Sequence, residues 1–67
     1  MNSRYGSTFL VKWKSRSTGS SGYSSFSFEQ KAEALDKARA LDVTDSAYVH
    51  YVQEQSGSGK IVAEHSP

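Results

Sequence analysis

Residues 27–41, SFEQKAEALDKARAL, are the one stretch of this chain with helical periodicity, and they stand between runs that alternate as strands do. That isolation constrains the fold more than any other feature. A single helix of this length covers one face of a small sheet and leaves the other face open. Ser27 with Gln30 three residues later has the form of a capping box. Phe28, Ala32, Leu35, Ala38 and Leu41 fall at helical spacing and form the expected buried stripe. Ala, Glu, Lys, Leu and Arg fill the interior, with no Gly or Pro to break it. Glu29 and Glu33 early, and Lys37 and Arg39 late, suit the helix dipole, and Glu33–Lys37 is a favourably oriented i,i+4 pair.

Around the helix, four runs alternate with period two. Residues 8–16 set Phe9, Val11 and Trp13 against Leu10, Lys12, Lys14 and Arg16. After the turn composition of residues 17–22, residues 23–28 set Phe26 and Phe28 against Tyr23, Ser25 and Ser27. Pairing Arg16 with Tyr23 places Trp13 opposite Phe26 and Val11 opposite Phe28, pairs worth about 0.2–1 kcal/mol each. Residues 42–45 are expected as a link. Residues 46–54 and 60–65 form a second hairpin around QSGSG, with Glu54 opposite Lys60, Val52 opposite Val62 and His50 opposite Glu64. The expected fold is α+β: a ββαββ chain forming a four-stranded antiparallel sheet in the order 2-1-3-4, with the helix on one face. Residues 1–6 carry no pattern and are expected as a flexible terminus before a single domain over 7–65.

This register sends Phe9, Val11, Trp13, Phe26, Val49, Tyr51, Ile61 and Ala63 inward beneath the helix. It leaves Leu10, Lys12, Lys14, Arg16, Tyr23, Tyr48, His50, Val52, Lys60, Val62 and Glu64 outward. A face that only meets water is mostly polar, and this one retains apolar members. Leu10, Tyr23, Tyr48, His50, Val52 and Val62 are therefore the candidate protein-binding residues. Lys12, Lys14, Arg16 and Lys60, with Tyr48 or His50 to stack on bases, are the candidate nucleic-acid set.

Sixty-seven residues is near the lower limit for a core without covalent support, and the chain has no Cys to supply disulfides or thiolate metal sites. Dimerisation is one way to add stability. The net charge of +1 is unevenly spread: the first sixteen residues hold four cations and no acid, while residues 28–45 hold five acids against three cations. No apolar run is long enough for a membrane span or a signal-peptide core, so a cytoplasmic setting is expected.

Patterns that would carry catalysis are incomplete. GSGK at residues 57–60 has Glu54 and Ile61 where a phosphate-binding loop needs Gly and Ser or Thr, and it joins two strands instead of opening a helix. His50 and His65 are the only imidazoles, and the alternation puts them on opposite faces of the last hairpin. No serine sits in a nucleophile elbow. The expectation is a protein without enzymatic activity, cofactor, metal or small-molecule substrate.

Phe9 to Leu41, with Trp13 in the first strand and SFSFEQKAEALDKARAL after a Gly-containing turn, resembles the arm-site DNA-binding domains of phage integrases. That resemblance implies a small sheet set in the DNA major groove, backed by one helix, with Lys12, Lys14 and Arg16 in the DNA-facing positions. Ala32 to Glu64, with its A-x-x-A helix, VHYV strand and GKIV return, is similar to short bacterial and phage proteins of ββαββ plan. The expected function is a non-catalytic interaction protein, such as a phage or mobile-element accessory or inhibitor protein. It would act through the uncovered sheet face or an edge strand, with a protein partner or as a homodimer. Nucleic-acid binding through the basic first strand is the alternative.

Overall fold

The computed structural model describes residues 7–67; the expected flexible terminus, residues 1–6, lies outside them. The chain forms β1 (Thr8–Ser15), β2 (Ser21–Phe28), α1 (Lys31–Thr44), β3 (Tyr48–Gln55) and β4 (Ile61–His65). The strands make one antiparallel sheet in the order β2-β1-β3-β4, as the sequence predicts. Both tight turns use a glycine with positive φ, Gly19 at 78° and Gly59 at 87°. In the first, the Ser15 hydroxyl also accepts from the Ser17 and Thr18 N–H groups.

α1 lies over β1 and β3. Val11 and Val52 are directly opposed on these strands and are fully buried, as are Ala34 and Ala38 of the helix. Phe9, Phe28, Leu35 and Leu41 close the rim of this small core. Two alanines let the helix backbone come near the sheet, and the space left beneath them suits a valine better than a ring.

That space corrects the face assignment of β3. The alternation of residues 48–54 is ambiguous, with apolar and polar groups on both sides, and the expectation set Val49 and Tyr51 inward. In the structure Tyr48, His50 and Val52 face the helix side, while Val49 and Tyr51 face away. A one-residue change of parity moves every side chain of a strand to the other face. A second contact fixes the choice: the Asp42 carboxylate, in the last turn of α1, accepts from both the backbone N–H of His50 at 2.7 Å and its Nδ1 at 2.9 Å. His50 is thus held under the end of the helix, only 3% exposed.

The helix begins later than its composition suggests. β1 and β2 pair Leu10 with Ser27 and Lys12 with Tyr23, so two steps along β1 match four along β2. The Ser24 hydroxyl donates to the Val11 carbonyl at 2.9 Å beside this bulge. The surplus keeps Ser27 in the strand, opposite Leu10, so the capping box does not form and Gln30 stands at the N-cap with no side-chain hydrogen bond. α1 then continues through the residues expected as a link. Ala34 replaces Ala32 in the buried stripe, and Ala32 is exposed. The helical ion pair is Arg39–Asp36 at 2.8 Å, and no basic residue lies in the last turn.

Hairpin registers also differ from expectation. Trp13 faces Gly22, not Phe26, because a ring can lie across a residue without a side chain: a Cβ at Gly22 would stand 2.7 Å from the Trp13 ring. On the other side of β1, Trp13 meets Tyr48 edge-on, with ring centroids 5.2 Å apart. In the second hairpin Val52 pairs with His65, Gln53 with Glu64 and Glu54 with Ala63, which shifts every expected pair. The turn takes its shape from Ser56, whose N–H donates to the Lys60 carbonyl and whose hydroxyl accepts from the Lys60 N–H. GSGK is a hairpin turn.

The β3 parity leads to a stability test. Val52→Ser places a hydroxyl in the apolar core and should cost about 2–4 kcal/mol in urea denaturation. Val49→Ser, three residues earlier on the open face, should change stability by about 0.5 kcal/mol or less. Equal losses from the two variants would contradict the placement of β3.

Candidate binding surface on the uncovered sheet face

The side chains that alternate with the core form the face α1 leaves open. Its central row runs across three strands, because Lys12 on β1 is the pairing partner of both Tyr23 on β2 and Tyr51 on β3. The Lys12 ammonium stands 4.7 Å from the Tyr23 ring centroid and 5.7 Å from that of Tyr51. Each such contact at an exposed site contributes about 0.5–1 kcal/mol and holds lysine and rings together. On one side of this row, Lys14 lies between Ser21 and Val49; on the other, Leu10 lies between Ser27 and Gln53.

Gln53 is only 2% exposed although no helix covers it. Its neighbours bury it: the Tyr23 hydroxyl donates to Gln53 Oε1 at 2.5 Å, and Gln55 Nε2 donates to the same oxygen at 2.8 Å. Gln53 Nε2 points to a Glu64 carboxylate oxygen at 3.4 Å. The Tyr23 side chain therefore reaches from the edge strand over β1 to β3 and is anchored at its tip. It still exposes 49% of its surface.

Leu10, Lys12, Lys14 and Tyr23 occupy the open face as the sequence predicts. Arg16 lies just past β1 at the Lys14 end, where its Nε donates to the Ser46 carbonyl at 2.9 Å. Lys60 does not join them. It sits in the β3–β4 turn near the start of β1, so the length of the strand, about 23 Å at 3.3 Å per residue, separates it from Arg16. Val62 is 58% exposed, at the irregularity of edge strand β4. Tyr48, His50 and Val52 leave the candidate set, because they face the helix side. Tyr51, Gln53 and Val49 take their places, and the signal that could have found them was the parity opposite to Val52.

Charge is divided between the two sides of the sheet. Among the described residues, Lys12 and Lys14 on the open face, with Arg16 at its end, meet a single acid there, Glu64. Glu29, Glu33, Asp36, Asp42 and Asp45 lie in α1 or at its ends, against Lys31, Lys37 and Arg39 of the same helix, and Glu54 lies on the helix side of β3, so that side keeps an excess of acids.

The two histidines both fall on that helix side, contrary to the expected opposite faces, because Val52 and His65 are paired. Each has its own carboxylate. His50 meets Asp42, and His65 Nε2 meets Glu54 Oε1 at 3.0 Å while the Ser7 hydroxyl donates to Glu54 Oε2 at 2.8 Å. The serine in this group donates to the carboxylate and not to the imidazole. Among the described residues, no three His, Asp or Glu side chains are placed to hold a metal ion, and no helix is long and apolar enough to cross a membrane. No protein-family model, curated protein or solved structure matches this chain.

The hydrogen bond from His65, aided by that from Ser7, holds the Glu54 carboxyl below its ordinary value of 4.5. A depressed folded-state pKa means that this stabilisation is complete above the unfolded value and is lost as pH falls through the folded one. Stability measured by urea midpoint should fall with acidification below pH 4.5. Glu54→Gln should flatten that part of the profile, and an unchanged acid slope in the variant would exclude Glu54 as its source.

Proposed function

We propose that this chain is a small, non-catalytic binding module that takes nucleic acid on the uncovered face of its sheet. The observation that carries this reading is the row Tyr23–Lys12–Tyr51 with Lys14 beside it, which gathers rings and ammonium groups on one surface while most acids lie on the other. Lysines neutralise phosphates and rings accept bases, so the two residue types together suit a polyanion that carries aromatic groups.

Three alternatives have less support. Two copies stacked through this face would oppose lysines to lysines, which disfavours a face-to-face homodimer. The edge strands are poor templates for pairing: β2 is bulged, while β4 is five residues long, irregular and followed by Pro67. Of the aliphatic anchors that favoured a protein partner, Val52 lies beneath the helix and Val62 stands apart at the irregularity of edge strand β4, which leaves Leu10 and, in place of Val52, Val49.

Fluorescence anisotropy with a labelled oligonucleotide tests the proposal. Affinity should fall steeply between about 50 and 200 mM salt, as counterion release requires. Replacing Lys12 and Lys14 with Ala should weaken binding about tenfold or more at low salt and reduce the salt slope by about 2, with the fold retained by circular dichroism despite the loss of the Lys12–ring contacts. Absence of binding to any DNA or RNA at low salt would overturn the reading, and so would an acidic protein that competes at equal charge and binds more tightly.

A further inference from the structure

We infer that the nucleic acid accepted by this face is unpaired, and that Gln53 is the positioning residue that holds Tyr23 as a base-stacking platform. This inference rests on the binding reading above and concerns which form of nucleic acid the surface can use.

The argument starts from which polar groups are already committed. Reading a duplex requires side chains with free donors and acceptors to enter a groove and meet base edges, and Gln is well suited to adenine there. On this face the amides are engaged with one another. Gln53 is almost wholly buried, its Oε1 accepts from both Tyr23 and Gln55, and its Nε2 is turned toward Glu64. The Tyr23 hydroxyl, the one group on that ring able to address a base edge, is spent on Gln53. What remains of Tyr23 for a ligand is its half-exposed ring. A ring offers stacking, and the faces of paired bases are already occupied by their neighbours in the duplex. Only unpaired bases present a free face to it.

The same bonds make the ring a prepared platform. A tyrosine on an edge strand, fixed only at its Cα, would give up rotamer freedom when a base arrives. Here its far end is tied to β3, two strands away, so that loss is already complete before binding. Lys12, within reach of both tyrosine rings, is positioned to meet the phosphate of a nucleotide whose base lies on either one.

The experiment compares a labelled mixed-sequence single strand with a hairpin duplex of matched length, in low salt, on the wild-type chain and on Tyr23→Phe, Gln53→Met and the double variant. The single strand should bind at least tenfold tighter than the duplex. Tyr23→Phe keeps the ring and removes only its tether, and it should weaken single-strand binding several-fold while leaving the salt slope unchanged. Gln53→Met should do the same, and the double variant should be no weaker than either single one, because both remove one interaction. Circular dichroism of each variant checks folding, and Tyr23→Phe, at an exposed ring, remains informative if Gln53→Met unfolds. Equal or tighter duplex binding would overturn the inference about unpaired bases. Wild-type affinity in Tyr23→Phe, or additive losses in the double variant, would overturn the role of Gln53. Failure of the wild-type chain to bind either form is a failure of the binding reading itself and is distinguishable from both.

Discussion

The approach of Ala34 and Ala38 to the pair Val11–Val52 is the contact on which the rest of the molecule depends. These four residues are the fully buried apolar core of the described chain. Their small size keeps helix and sheet close, and closeness decides which side chains of β3 fit beneath. Once Val52 is under the helix, His50 must follow two residues earlier, and Asp42 at the helix end meets it with two hydrogen bonds. Tyr51 and Gln53, being of opposite parity, must then face outward. The composition of the open surface is therefore a consequence of how the other surface is packed.

Much of this was legible in the residues themselves. The lone helix, the four strands and their order follow from periodicity, turn composition and the need to cover one face. β1 is unambiguous because its two faces differ sharply, with rings and Val11 on one side and Leu10 and the lysines on the other. β3 gave no such contrast: Tyr, His, Val and Glu alternate with Val, Tyr and Gln, so hydrophobicity alone does not choose between them. The choice depends on the depth of the space under two alanines and on a carboxylate eight residues upstream, neither of which is a local property of the strand. The helix start was obscured for a similar reason. Ser27 and Gln30 have capping chemistry, but the bulge in β2 keeps Ser27 in the ladder, and bulges leave little trace in composition.

The inversion of β3 changes the chemical character of the candidate site. With Tyr48, His50 and Val52 outward, the face would combine aliphatic and imidazole groups, as suits a protein partner. With Tyr51, Gln53 and Val49 outward, a lysine stands between two tyrosines, and an amide network is sealed beneath one of them. Buried polar groups of this kind are stable only when each is satisfied, and Gln53 achieves this by drawing Tyr23, Gln55 and Glu64 toward itself. The resulting surface is more ordered than its exposure alone suggests.

The division of charge between the two sides of the sheet has a kinetic consequence. A chain whose formal charge is only +1 has little overall attraction to a polyanion. The excess of five acids over three cations in residues 28–45, with Glu54 beside them, nevertheless gives the molecule an electric moment directed through the sheet, with its helix side as the negative pole. Near a line of phosphates such a body experiences a torque before it makes contact, and it turns its lysines forward and its carboxylates away. Productive encounters then become more frequent without a strongly basic sequence, and the helix acts as a rudder for the face it does not touch.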